Sequence, residues 1–179
     1  MKQIIKLGIL LMIFSGTAAG LLVKAYDITN PYIIKEREKA EQDALKIVFP
    51  NASLFEKKEK QDIMYYEAKD AGGNIAGYVL NIKASGYSGL ILFMAGIDLN
   101  GDLTGIKILS NSETPGLGAN ITKPWFCDQF KDKHVDTIKV VKQKDDKNIL
   151  AITGATISSR AITDNIKKTV QEFYEKGIF

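Results

Sequence analysis

Asn148–Lys168 reads NILAITGATISSRAITDNIKK, and it joins the two halves of an α+β layout. Asn148 to Ile152 is mostly apolar and predicts a strand, whereas Ile157 to Lys176 carries a helical pattern. Between them stands Thr153-Gly154-Ala155-Thr156, followed by Ser158 and Ser159. A glycine at such a junction lets backbone approach a ligand, and a helix start offers unpaired N–H groups with a partial positive charge. Phosphate is favoured there. The plainer reading is a helix cap, because Thr and Ser accept hydrogen bonds from the same N–H groups. Physics alone leaves both open. In the helix itself, Ala161, Ile162, Ile166, Val170, Phe173 and Tyr174 recur at near-helical spacing, as core contacts do.

Upstream, the pattern is that of strands and turns. Asp62 to Ala68 and Ile75 to Ile82 are β-type runs separated by KDAGGN, a hairpin turn. Gly86-Tyr87-Ser88-Gly89 makes a second turn before the run Leu90 to Leu99. Asn100-Gly101-Asp102 turns the chain into Leu103 to Leu109. A Gly-rich loop holds Glu113-Thr114-Pro115-Gly116-Leu117-Gly118-Ala119. Trp125 to Phe130 reads as a short helix and Thr137 to Val141 as another strand. The fold class is therefore α+β, with helices packed on a twisted, mainly antiparallel sheet.

Composition narrows the chemistry. The 179 residues suit one domain with appendages, and a net charge of +3 is too small to indicate nucleic acid. The basic residues are interleaved with acids in KEREKAEQD and EKKEKQD, which read as solvated helix faces. Cys127 is the single Cys and His134 the single His. One Cys makes no intramolecular disulfide, iron–sulfur site or haem attachment. With one His it also falls short of a structural zinc site unless carboxylates help. His134 lies in the polar segment KDKHVD, and Cys127 reads as a small buried apolar residue. Redox chemistry on this chain requires an organic cofactor.

Leu7 to Val23 is an uncharged, mostly apolar run between Lys6 and Lys24. As a helix it spans about 26 Å, adequate with local thinning for a bilayer core of roughly 30 Å. A cleaved leader ending at Ser15-Gly16-Thr17-Ala18-Ala19 is the alternative. Leu21, Leu22 and Val23 continue the apolar stretch and favour a retained anchor. Lys2 and Lys6 argue for an inside N-terminus, Lys24, Lys35, Arg37 and Lys39 after the segment argue against it, and the signal-like shape favours sending the bulk of the chain across. Asn30-Pro31 closes the link to an amphipathic helix, Tyr32 to Val48, ended by Phe49-Pro50.

Four segments then occur together: GYSG (Gly86–Gly89), SETPGLGA (Ser112–Ala119), W-x-x-x-Q-F (Trp125, Gln129, Phe130) and TGATISS (Thr153–Ser159). With an N-terminal anchor ahead of them, the chain resembles the covalent-flavin G subunit of the Rnf ion-translocating oxidoreductase. It is similar also to the C subunit of the sodium-translocating NADH:quinone oxidoreductase, which shares the flavin-binding domain. The resemblance implies FMN held by a phosphoester to Thr156 and attached by a separate flavin transferase. Thr153, Gly154, Ala155 and Ser158 then surround the phosphate, and Glu113, Thr114, Gly116 and Leu117 meet the flavin. It divides the chain into a membrane anchor (1–25), a juxtamembrane amphipathic helix (26–50) and an FMN-binding domain (51–179). It also implies an electron-transfer role, working between ferredoxin and NAD among the other components of a membrane complex. The location is single-pass in the plasma (inner) membrane, with the soluble domain on the periplasmic or extracellular side. The family pattern carries Asp six positions before the modified Thr, where this chain has Leu150. The rival readings are the quinone-reductase C subunit, a non-redox membrane-anchored scaffold whose TGAT caps a helix, and a secreted flavoprotein cleaved after Ala19.

Overall fold

The computed structural model describes residues 1–60, 63–143 and 145–177. Contacts divide the chain into two compact units, Met1–Ala40 and Glu41–Phe179. Helix α1 runs over Lys2–Val48 with Pro31 inside it, so the break expected at Asn30-Pro31 does not form. A proline deletes one N–H bond, and the turns on either side still propagate. In the first unit the helix is long and apolar enough to cross a membrane by length and composition. The two hydroxyls of its apolar run Leu7 to Val23 are turned back on the helix: Ser15 Oγ donates to the Leu11 carbonyl at 2.9 Å and Thr17 Oγ1 to that of Ile13 at 3.0 Å. Back-bonding of this kind gives both hydroxyls a partner within the helix itself.

In the second unit a six-stranded antiparallel meander is formed by β1 (Leu54–Lys60), β2 (Ile63–Lys69), β3 (Ile75–Ser85), β4 (Leu90–Asp98), β5 (Asp102–Asn111) and β6 (Lys133–His134), in that spatial order. The expected strand from Asp62 starts at a residue outside the described ones and is otherwise present as β2. A parallel pair, β7 (Val140–Val141) with β8 (Ile149–Leu150), leads into α3 (Thr156–Glu175). Between β5 and β6 lie a 3-10 turn at Gly118–Thr122, the short helix α2 (Pro124–Cys127) and a second 3-10 turn at Asp128–Phe130.

Alternation along the strands assigns the two faces of the sheet. Tyr78 and Leu80 of β3, and Phe93, Ala95 and Ile97 of β4, join Ile162, Ile166, Val170 and Phe173 of α3 in the larger core. Their neighbours Val79 and Met94 point the other way, to Ala44, Leu45, Val48 and Phe49. Phe173 is fully buried and meets Tyr65 and Tyr78 edge-on, each with ring centroids 5.1 Å apart. Tyr174, expected in the core, is 42% exposed because it falls one residue past that stripe.

Two further expectations are corrected. The EKKEK of EKKEKQD lies in strand β1, not on a helix face. It is an edge strand held by pairing along β2, and Lys69 Nζ lies 2.6 Å from Glu56 Oε1 across the pair. Charges on an edge also discourage pairing with another chain. The strand expected over Thr137 to Val141 shrinks to Val140–Val141, because its partner β8 is only two residues long. Within the second unit, Ala44, Leu45 and Val48 pack on the sheet beside Val79 and Met94.

Candidate functional site

Glu113 organises the region where the motifs meet. It lies two residues past the end of β5 and is only 6% exposed. Its Oε1 accepts the backbone N–H of Tyr87 at 2.7 Å and of Ser88 at 3.2 Å. Ser158 Oγ donates to its Oε2 at 2.9 Å. One carboxylate thus ties the Gly86–Gly89 turn and the first turn of α3 to the loop that carries it. The space it fills is cleared by two glycines. A Cβ at Gly86 would collide with Glu113 Oε1 and lie 2.8 Å from Ile91 Cδ1. One at Gly118 would collide with Oε2 and lie 2.9 Å from Ser158 Oγ. Ser88 Oγ and Thr114 Oγ1, 3.3 Å apart, form a second tie between the two loops.

The TGAT junction is exposed on one side and anchored on the other. Thr153 and Gly154 are exposed, Thr156 is half-buried, and Ala155 is buried. Gly154 has φ +77°, which favours glycine, and a Cβ there would sit 3.1 Å from Leu117 Cδ2. Leu117, itself 47% exposed, therefore lies against the TGAT backbone. The residue preceding α3 is Ala155, and no side chain caps the helix. The capping role expected of these hydroxyls is not realised. Among the described residues, no acceptor meets the N–H groups of Thr156, Ile157 and Ser158.

The two serines after TGAT are turned inward and fully buried. Ser158 serves Glu113. Ser159 Oγ donates to the Ala155 carbonyl at 3.0 Å and accepts the Ile152 N–H at 3.1 Å, which pins the approach to the helix. Gln129 does the same for β8: its Oε1 accepts the Leu150 N–H at 2.7 Å. The W-x-x-x-Q-F segment thereby splits, with Phe130 buried in the core, Gln129 holding the strand before TGAT, and Trp125 53% exposed. Leu150 is bound through its backbone, and its side chain is half-buried.

The residues fit an FMN phosphate. A hydroxyl at the first residue of a twenty-residue helix lies beside three N–H groups that meet no acceptor among the described residues, the donor set that suits an anion. Cys127 and His134 stand apart from this set. The Cys127 thiol donates to the Ile121 carbonyl at 3.2 Å, and burial pushes its pKa up to about 11. His134 is in β6, paired with Asp102. Among the described residues no group of three metal-capable side chains occurs.

Residues 86–171 match the FMN-binding domain family. The chain is 36% identical over 156 residues to the G subunit of the proton-translocating ferredoxin:NAD(+) oxidoreductase complex of Clostridium ljungdahlii, covering 86% of this chain and 83% of that protein. It is 35% identical over 178 residues to the G subunit of the ion-translocating oxidoreductase complex of Methanosarcina acetivorans, covering 94% of each. The chain belongs to the G-subunit family of ion-translocating oxidoreductase complexes. Members of this family are electron-transport components of membrane complexes, and the matched domain is the one that binds FMN. Two solved structures share the family's fold. NqrC of Shewanella oneidensis aligns with a TM-score of 0.52 at 18% identity, over 66% of this chain and 65% of that one. The C subunit of the Na(+)-translocating NADH-quinone reductase from Parabacteroides distasonis aligns with a TM-score of 0.53 at 22% identity, over 64% and 61%.

Proposed function

We propose that this chain is the electron-transfer subunit of a membrane-bound, Rnf-type ion-translocating oxidoreductase working between ferredoxin and NAD, and that it carries FMN on Thr156 through a phosphoester. The observation that carries the reading is the position of Thr156. It is half-buried at the start of α3, beside three N–H groups that meet no acceptor among the described residues and next to the Leu117–Gly154 contact. The phosphate linkage uses the Thr156 hydroxyl oxygen, and the N–H groups of Ile157 and Ser158 share the remaining negative charge. Leu117 offers an apolar wall, and the exposed Thr153 hydroxyl and Thr114 add polar contacts at the rim. When bound, FMN supplies the one- and two-electron chemistry, and the protein supplies attachment and shielding.

The G subunit of Acetobacterium woodii, 30% identical over 192 residues, is named for a Na(+)-translocating ferredoxin:NAD(+) oxidoreductase complex. Its name and that of the clostridial protein support a ferredoxin/NAD assignment here. The membrane-compatible helix supports a single-pass anchor, and the signal-like shape of that segment is the ground for assigning the flavin domain to the periplasmic or extracellular side. A cofactor held covalently suits that side, where a lost flavin is not readily replaced. The partners are then the other redox components of the complex and a flavin transferase.

Co-expression with a flavin transferase and intact mass spectrometry tests the reading. Wild type gains one FMN less one water and fluoresces on a denaturing gel, and Thr156→Ala does neither. A wild-type chain left unmodified beside an active transferase overturns covalent attachment and favours the scaffold reading. Sodium-dependent quinone reduction by the assembled complex overturns the Rnf assignment in favour of the quinone-reductase C subunit.

A further inference from the structure

We propose that Glu113 is the positioning residue of the flavin site: its carboxylate locks the Ser112–Ala119 loop and the Gly86–Gly89 turn onto the attachment helix before any flavin arrives. The proposal rests on attachment at Thr156. Its distinct content is that Glu113 acts through other residues and does not touch the cofactor.

A buried carboxylate is costly unless its oxygens are satisfied. Glu113 is buried, and no cation pairs with it among the described residues. Three donors compensate it instead, two backbone N–H groups on Oε1 and one hydroxyl on Oε2. Both oxygens are thereby engaged from the protein side. Each donor belongs to a segment at the site, so the carboxylate is satisfied only when all three segments are in place.

The consequences for Thr156 follow from the helix. Ser158 lies two residues beyond Thr156 in the same turn, so the hydrogen bond from its hydroxyl fixes the rotation and height of that turn. Leu117 lies four residues beyond Glu113 in the loop and reaches Gly154 on the other side of Thr156. The attachment hydroxyl is therefore braced from both sides by one loop. Such bracing matters for a transfer reaction, because small misplacements of a reacting group lower its rate sharply.

The test uses the full-length chain carrying Glu113→Ala, Glu113→Gln or Ser158→Ala. Amide hydrogen exchange at Tyr87 and Ser88 is followed without flavin. The rate of attachment by the transferase and the fluorescence anisotropy of the attached flavin are followed with it. Glu113→Ala is expected to speed exchange at both amides by roughly tenfold to a hundredfold, the worth of hydrogen bonds to a charged acceptor. It slows attachment at least about tenfold and lowers the anisotropy. Glu113→Gln keeps an oxygen for the two amides and an amide for Ser158, so it restores attachment to within about threefold of wild type. Ser158→Ala removes one of the three bonds, and attachment slows by about threefold to tenfold.

Wild-type exchange at Tyr87 and Ser88 in Glu113→Ala overturns the proposal, as does an attachment rate and anisotropy equal to wild type. If Glu113→Ala does not fold, Ser158→Ala decides: unchanged attachment and anisotropy overturn the proposal. If the wild type takes no flavin at Thr156, the functional reading fails, while the flavin-free exchange data still decide whether Glu113 locks the loops.

Discussion

Three of the hairpin turns in the sheet are held by a carboxylate, and they differ in where it comes from. The β2–β3 turn closes on Asp70, whose Oδ1 accepts the N–H groups of Gly72 and Asn74 at 2.8 and 2.9 Å. The β4–β5 turn closes on Asp98 in the same way, through Asn100 and Asp102. In both, the carboxylate lies no more than four residues from the N–H groups it accepts; the first turn is largely exposed, whereas in the second Gly101 is buried and its carbonyl accepts the Val135 N–H at 3.0 Å. The β3–β4 turn has no acid of its own and borrows Glu113 from a loop beyond β5, buried and shared with α3. A local turn only reverses the chain. A turn held by a distant, buried acid can be aimed at a site.

Mutations put that contrast at risk. Glu113→Ala is expected to be the most damaging, at about 3 kcal/mol, because two buried N–H groups and a hydroxyl lose their acceptor together. Denaturant unfolding measures it. Gly118→Ala follows at about 2 kcal/mol, since the added methyl meets the Glu113 carboxylate and Ser158, and the backbone must give. Gly116→Ala is its control. It has φ +78° and nothing within 4 Å, so only the backbone preference of about 1 kcal/mol is lost. Equal costs at the two glycines would remove the carboxylate from the explanation.

Asp98→Ala costs about 1 kcal/mol, because water replaces the lost acceptor at a half-exposed turn. A loss as large as that of Glu113→Ala would erase the distinction between the turns. Asp70 gives the smallest effect, visible only in acid. Hydrogen bonds from the backbone, that of Asn74 foremost, hold its carboxyl below the ordinary value. The folded state thus resists protonation more than the unfolded chain does. Its contribution is present above the unfolded value of about 4 and is lost as pH falls through the lower folded one. Thermal unfolding between about pH 5 and pH 2 should show a slightly flatter pH dependence in Asp70→Asn than in wild type.

The same contrast explains what could be read from the residues alone. KDAGGN and Asn100-Gly101-Asp102 announce their turns because the acid, the glycine and the reversal are adjacent in sequence. Strands β2 to β5 stand out as β-type or apolar runs between turns, and α3 shows its stripe of Ile162, Ile166, Val170 and Phe173. Strand β1 was not legible, because EKKEK has no apolar face and owes its conformation to β2. The two-residue β7 and β8 are held by each other and by Gln129, a partner 21 residues away from Leu150. Pro31 predicts a break that the surrounding turns override. At the site, GYSG, ETPGLG and TGATISS were recognisable as separate segments. That Glu113 and Ser158 join them was not, since neither burial nor a hydrogen bond across 45 residues leaves a local pattern.

If these segments build one attachment point, peptide mapping locates it at Thr156. After co-expression with a flavin transferase, tryptic cleavage releases Asn148–Arg160, which holds Thr153, Thr156, Ser158 and Ser159. This peptide is expected to carry the flavin mass, with fragmentation placing it on Thr156. An unmodified Asn148–Arg160 peptide, or a flavin on Thr153, Ser158 or Ser159, would refute a single attachment point at Thr156.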